Sequence, residues 1–282
     1  MISKLLRVYQ WYKNILVFLP LIFFGFDLTG NQYLSLVLGF FALCLISSTN
    51  YIINDIFDKE KDKLDKTKSK RPIAAGKVSI PLAIVFAVIL LLASLIIGYV
   101  LNPLFFVLLL LLFVLTFLYS IWLKHKVFID IIVIAINFMI RAICGAIILH
   151  IYISEWFILG VFFLAMFFVF AKRYGESKEG LQKNRKLLEF YTPELMQMFM
   201  IVFLAILVIF YSVYIIIEHS GYWFLATVPV FTLLLLRYFS LVIRNTDVAR
   251  HGEKTFFKLD LVLLAFLWLL LFLFAMYKYK WF

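Results

Sequence analysis

The chain has 282 residues, 65% of them apolar and only 15% charged, with 33 Phe and a formal net charge of +11. Soluble domains are roughly 45–50% apolar, so this composition excludes a soluble globular protein and calls for a bilayer as solvent. The basic excess does not indicate nucleic acid, because Lys and Arg fall in short loops between apolar runs instead of on one folded face.

In chain order, the N-terminus sets basic residues before an apolar stretch, as a signal peptide does. No small-x-small cleavage site follows Phe26, so the stretch reads as a retained first helix. Apolar runs then fall near 15–26, 33–53, 80–101, 103–123, 127–149, 155–171, 197–217, 222–243 and 259–277. A helix needs about 20 residues to cross the hydrocarbon core, so these runs predict a single all-α domain over 1–282, an integral membrane bundle of about nine helices. The first run is short; it is expected to begin near Trp11 as an amphipathic entry and to bend at Pro20. Cys44 and Cys144 lie inside apolar runs and read as small hydrophobes. His125, His150, His219 and His251 show no metal-ligand spacing.

The loops alternate in charge. The N-terminus and residues 55–79, 124–126, 172–196 and 244–258 carry 23 of the 27 Lys and Arg, and the opposite loops before the C-terminal end carry none. The positive-inside rule therefore places the N-terminus and the long loops in the cytoplasm, with the C-terminus outside the plasma (inner) membrane. The expected catalytic loops are 55–79 and 172–196.

The densest chemical signal runs from Asn54 to Gly76, NDIFDKEKDKLDKTKSKRPIAAG, and holds five of the 16 acids. On a continuing helix Asn54, Asp58 and Asp62 drift by only about 40° per step and share a face. Asp65 returns to the same side, and Asp55 points about a quarter-turn away. Stacked carboxylates repel, and a bound divalent cation would relieve the repulsion. Mg2+ suits one or two carboxylates completed by water and phosphate oxygens. The bland reading is a solvated, mixed-charge loop. Against it stands the polar run Ser47, Ser48, Thr49 and Asn50 at the end of a span, where polar groups need a cavity or a packed interface. Lys70, Arg71 and the Arg71-Pro72 turn place cations within reach of a diphosphate.

Asn54, Asp58, Asp62, Arg71, Pro72 and Gly76 resemble the first signature of the UbiA superfamily of intramembrane prenyltransferases, whose bundle also has nine spans. Within it the chain resembles the polyprenyl-phosphate phosphoribosyltransferase branch. That likeness rests on Gln10-Trp11-Tyr12-Lys13-Asn14, Asn54-Asp55 through Ile73-Ala74-Ala75-Gly76, Arg141-Ala142-Ile143-Cys144-Gly145-Ala146, Lys172-Arg173-Tyr174 and Leu236-Arg237-Tyr238. The general pattern has a second Asp-rich motif after the sixth span, whereas residues 172–196 offer only Glu176, Glu179, Glu189 and Glu194 among six basic residues. A phosphate-binding surface suits that composition better than a second metal site.

The resemblance implies attack by a polyprenyl phosphate oxygen on C1 of 5-phosphoribosyl diphosphate, with diphosphate leaving. It implies Mg2+ held by Asn54, Asp58 and Asp62, with Asp55 assisting. Lys13 and Asn14, with Lys70 and Arg71, would contact donor phosphates; Lys124, Arg141, Lys172 and Arg173 are candidates for the acceptor phosphate or the donor's 5-phosphate. Arg141 lies deep in a span, where a charge is by default functional, although Asp130 could pair with it structurally. Arg237 reads equally well as functional or as an ion-paired or snorkelling residue. Tyr119 reads first as an interface anchor and second as a ligand contact. Two rivals stand beside this reading: a UbiA enzyme that uses the same first motif to transfer a prenyl group from a prenyl diphosphate to an aromatic acceptor, and an anion transporter lined by Arg141 and Arg237.

Overall fold

The computed structural model describes residues 2–25, 28–65, 68–179, 187–219, 221–250 and 258–280. His251, Lys66, Lys183, Arg185, Lys186 and Lys254, which entered the charge and metal arguments, lie outside the described residues. The long elements are all helices: α1 Gly30–Phe57, α2 Ile80–Leu101, α3 Pro103–Ile121, α4 Ile129–Leu149, α5 Glu155–Lys178, α6 Pro193–Glu218, α7 Thr227–Arg244 and α8 Leu259–Lys280. Among the described residues eight helical spans, α7 being lengthened at its start by the short helix Tyr222–Leu225, are long and apolar enough to cross a bilayer. The chain is an all-α integral membrane protein.

The remaining expected span differs in form. Residues Val8–Phe18 wind as a 3-10 helix, and an α-helix Leu19–Phe24 follows with Pro20 in its first turn. Proline there has no N–H to waste and a φ already set for helix, so the change of winding falls where Pro20 permits it.

Local chemistry fixes the helix starts. Thr29 and Gln32 form a reciprocal capping box on α1. Asn102 accepts from the Leu104 and Phe105 N–H groups at the start of α3, and Ser154 and Thr192 cap α5 and α6 in the same manner.

Two compact units are built on these helices. The first comprises residues 1–124 and 137–152, the second 125–136 and 153–282, so α4 contributes its first turns to one and the rest to the other. In the first unit Ala83, Ala87, Ser94 and Gly98 are the buried residues of α2, a stripe of small side chains. Ser94 Oγ donates to the Ala42 carbonyl at 2.8 Å and Thr49 Oγ1 reaches the Ala87 carbonyl at 3.4 Å, so α1 and α2 meet closely and are tied by hydroxyls. The opposite side of α2 exposes Val85, Ile89, Leu92 and Ile96, the face that the composition assigns to lipid.

In the second unit α5 and α6 join through aromatic packing, with Phe170 stacked on Phe199 at 4.9 Å and Phe163 edge-on to Phe210 at 4.8 Å. Tyr211 shares its hydroxyl with Thr227 at 2.7 Å and accepts from the Trp268 indole at 2.8 Å, which links α6, α7 and α8. Arg237 on α7 pairs with Asp260 on α8, the ion-paired alternative of the two readings it had from sequence.

Candidate active site: an acid ladder and its resident cations

The acids lie where α1 ends. Asn54 and Asp55 are the last polar residues of the helix, Asp58 caps its C-terminus, and a short helix Lys59–Lys63 continues the winding. The amide of Asp58 donates to the Asn54 carbonyl at 2.9 Å and that of Asp62 to the Asp58 carbonyl at 2.8 Å, so the four-residue helical register holds across the junction. The backbone register expected for Asn54, Asp58 and Asp62 is therefore kept. Asp65 leaves it: the helix stops at Lys63, and Asp65 Oδ1 instead accepts from the Lys68 amide at 3.0 Å.

Asp55, Asp58 and Asp62 each meet a cation. Asp55 Oδ1 accepts from both Arg7 and Arg71, the latter at 3.1 Å; Arg71 also donates to Asp62 Oδ2 at 2.5 Å. Lys124 donates to Asp58 at 3.2 Å. Asp55, Asp62, Arg7 and Lys124 are buried, with relative exposures of 1%, 3%, 8% and 7%. Asp55, which the helical wheel sets off to one side, is thus the most enclosed member and the one held by two guanidiniums. Asn54 and Arg71 are half-buried, and Lys70 is exposed on the 3-10 turn Lys68–Lys70.

The 3-10 segment Val8–Phe18 backs the ladder on α1. The Trp11 indole donates to Ser48 Oγ at 3.1 Å, and Ser48 donates to the Leu6 carbonyl at 2.8 Å. Asn14 is buried; its amide donates to Cys44 Sγ at 3.3 Å, and its carbonyl accepts from Ser47 and from Arg141 Nε, the latter at 2.9 Å. Arg141 also donates to the Asn137 carbonyl at 2.6 Å. The polar run at the end of α1 is therefore the packed interface that its position demanded, and Trp11 is an internal tie. Lys13 is half-buried, with Gln10 at 3.5 Å, and Tyr119 is half-buried near the end of α3.

Within the second unit, Asp130 is fully buried; it accepts from Arg173 at 2.7 Å and from the Tyr191 hydroxyl at 2.5 Å. Arg173 donates in addition to Glu176, and the Phe128 amide donates to the Tyr191 oxygen at 2.7 Å. Burial, reinforced by the bond to Asp130, pushes the Tyr191 phenol above its ordinary range, so it stays a neutral donor. The structural alternative that paired Asp130 with Arg141 is not what forms: each has other partners. Lys172, beside Arg173, is exposed on α5.

Among the described residues no three of Asp, Glu, His and Cys converge as a ready metal cluster. The donor chemistry nevertheless suits a hard cation. Asn50 Oδ1 and Asp55 Oδ2 are buried with no hydrogen-bond partner, a state that costs about 1–3 kcal/mol per group. Both are oxygens of the kind Mg2+ binds, and they lie on the helix that carries Asn54 and Asp58. Sequence reasoning did not select Arg7 or Asn50. Arg7 was legible only as one of the basic residues before the first apolar run, and Asn50 only as the end of a polar run.

Comparison with known proteins agrees with this architecture. Residues 16–270 match the model of the UbiA prenyltransferase family. A decaprenyl-phosphate phosphoribosyltransferase of Mycobacterium tuberculosis is 33% identical over 247 residues, 84% of this chain and 82% of that protein. The enzyme of that name from Corynebacterium glutamicum is 32% identical over 248 residues, 83% of this chain and 74% of its own length. A UbiA homolog from Archaeoglobus fulgidus, solved bound to GPP and Mg2+, shares the fold at a TM-score of 0.75 with 19% identity, over 97% of this chain and 98% of that one. With a family match across most of its length and long alignments above 30% identity, the chain belongs to the UbiA prenyltransferase family.

Proposed function

We propose that this family member transfers a 5-phosphoribosyl group from phosphoribosyl diphosphate to a membrane polyprenyl phosphate and releases diphosphate. The observation that carries the reading is the pairing of the acid ladder with Arg7, Arg71 and Lys124, a set of anion and cation ligands suited to a metal-bound diphosphate. The choice of donor is supported by the relatives named above and by the lack of Asp in residues 172–196.

In this reading Asn54, Asp58 and Asp62 hold Mg2+, with Asp55 and Asn50 as further oxygen donors. The ion supplies neutralisation of the charge that develops on the departing diphosphate, worth several kcal/mol. Arg71 and Lys124 turn from the carboxylates toward diphosphate oxygens, where a guanidinium forms two parallel bonds and an ammonium acts as a point charge. The acceptor phosphate is already ionised, so no residue is needed to remove a proton from it. Arg141 is held by Asn14 and Asn137 and serves as a fixed cation of the same unit. Lys172 is assigned to a phosphate; Asp130 and Arg173 act by shaping α4, α5 and the Tyr191 segment. The site faces the cytoplasm, in agreement with the basic loops, and the substrate tail lies in lipid.

The test is incubation of purified enzyme in lipid nanodiscs with radiolabelled phosphoribosyl diphosphate and polyprenyl phosphate, set beside labelled prenyl diphosphate with an aromatic acceptor. Label from the first donor in the lipid fraction is expected. Label from the second donor alone would overturn the proposal in favour of ordinary prenyl transfer; passage of a phosphate ester across liposomes without turnover would overturn it in favour of transport.

A further inference from the structure

Arg7 stands outside the signature that marks the acid ladder, yet its guanidinium reaches across 48 residues of sequence to the most enclosed carboxylate. The residue is buried and lies 4.8 Å over the Tyr51 ring, and its backbone is in the left-handed region at φ 49°. A non-glycine residue in that region is uncommon, and a β carbon there is unfavourable. The turn that holds Arg7 in this position is fastened by the Ser48 bond to the Leu6 carbonyl.

Asp55 is used asymmetrically. Its Oδ1 takes two guanidiniums and its Oδ2, equally buried, takes nothing. The described ion pairs set three acids, Asp55, Asp58 and Asp62, against three cations, Arg7, Arg71 and Lys124. The cluster is electrically balanced before anything binds, so a divalent cation entering the acids competes with the resident cations. A cation displaced from a buried carboxylate cannot stay unpaired in a low-dielectric setting. It becomes a ready ligand for the next anion to arrive.

We infer that Arg7 is a resident counter-ion that a divalent metal displaces from Asp55 and that the donor's diphosphate then takes up, which makes Arg7 a positioning residue for the leaving group. The inference rests on the proposed diphosphate chemistry but not on the identity of the group transferred. Metal and diphosphate bind in a favoured order on this scheme: metal alone works against the Arg7 pair, and metal with diphosphate works with it.

Mn2+ binding, read by electron paramagnetic resonance on the nanodisc-held full chain without donor, tests the competition. Arg7→Gln is expected to bind Mn2+ alone about 10-fold more tightly than wild type, about 1.4 kcal/mol by the usual conversion. The same variant is expected to bind inorganic diphosphate in the presence of Mn2+ at least 10-fold more weakly. A residue that merely holds the N-terminus in place would weaken both. The wild-type chain supplies a second measurement that does not depend on a variant folding. Amide hydrogen exchange over residues 2–10 should rise with saturating Mg2+ alone and fall again when inorganic diphosphate is added. Unchanged or weaker Mn2+ binding in Arg7→Gln, or exchange that falls with Mg2+ alone, would overturn the inference. Neither readout uses a phosphoribosyl or prenyl donor, so a wrong donor assignment leaves both unaffected.

Discussion

At the residue scale, position decides which of several chemically equal side chains act. Lys172 and Arg173 are adjacent, but Lys172 is exposed while Arg173 is enclosed with Asp130, Glu176 and the Tyr191 hydroxyl around them. Arg173→Ala leaves the Asp130 carboxylate buried without its cation, which costs about 3–5 kcal/mol; thermal unfolding in detergent should show a large loss of stability. Lys172→Ala should leave the melting temperature near wild type and raise KM for the acceptor more than for the donor, and the reverse order would swap the phosphate assignment. Asp58→Ala and Asp62→Ala should each lower kcat/KM by roughly 100-fold or more, about 3 kcal/mol of transition-state stabilisation, with membrane insertion intact. Near wild-type turnover in both would remove them from metal binding. Asp65 belongs to this scale as well: its place on a continuing helical wheel suggested a ladder member, but the helix stops at Lys63 and the Asp65 carboxylate accepts from the Lys68 amide. A short acid can cap a turn as readily as bind a ligand.

At the element scale, close approaches of backbone explain small residues that bear no chemistry. A β carbon at Gly145 on α4 would overlap the Val17 carbonyl of the 3-10 segment, and that contact is with backbone, which cannot swing aside. Gly145→Ala should therefore push away the segment that carries Lys13 and Asn14, destabilise the chain by about 1–3 kcal/mol, and weaken the Asn14 to Arg141 bond. Differential scanning fluorimetry and donor KM would both register it. The resemblance singled out Gly145 within the segment Arg141 to Ala146 without saying why a glycine stands there; the packing supplies the reason. The 3-10 winding of Val8–Phe18 was not legible, because a short apolar run bearing Pro20 satisfies several helical forms and only its fit against α1 selects among them.

At the scale of the whole molecule, stability should depend on pH through groups outside the spans. His219, in the connection between α6 and α7, stacks on Phe224 at 4.4 Å and meets the Tyr214 hydroxyl at 3.1 Å; burial lowers its pKa to about 4. The unfolded chain binds this proton near the ordinary value of 6.5, so the unfolded state gains protons first as pH falls. The His219 contribution is complete above about 6.5 and is lost progressively toward 4. Melting temperatures in detergent should fall from pH 7 to pH 5 less steeply in His219→Phe than in wild type.

The span map shows how much was readable from composition alone. The run 80–101 coincides with α2, and most other runs coincide with helices to within a few residues. The larger extensions, at the ends of α1 and α5, occur where polar residues continue a helix beyond the apolar stretch that announced it, and α6 starts earlier, at Pro193 behind its Thr192 cap. Apolar length and loop charge determined by themselves that the chain lives in a membrane, because the cost of burying polar backbone and charge in lipid leaves few alternatives. The four-residue repeat of Asn54, Asp58 and Asp62 was likewise determined locally, by helical geometry. What only the tertiary structure decided is pairing: which of 27 basic residues meets Asp55, and that Asp130 belongs with Arg173. Such choices depend on distances between segments far apart in sequence, and Coulomb attraction by itself treats every Lys and Arg alike.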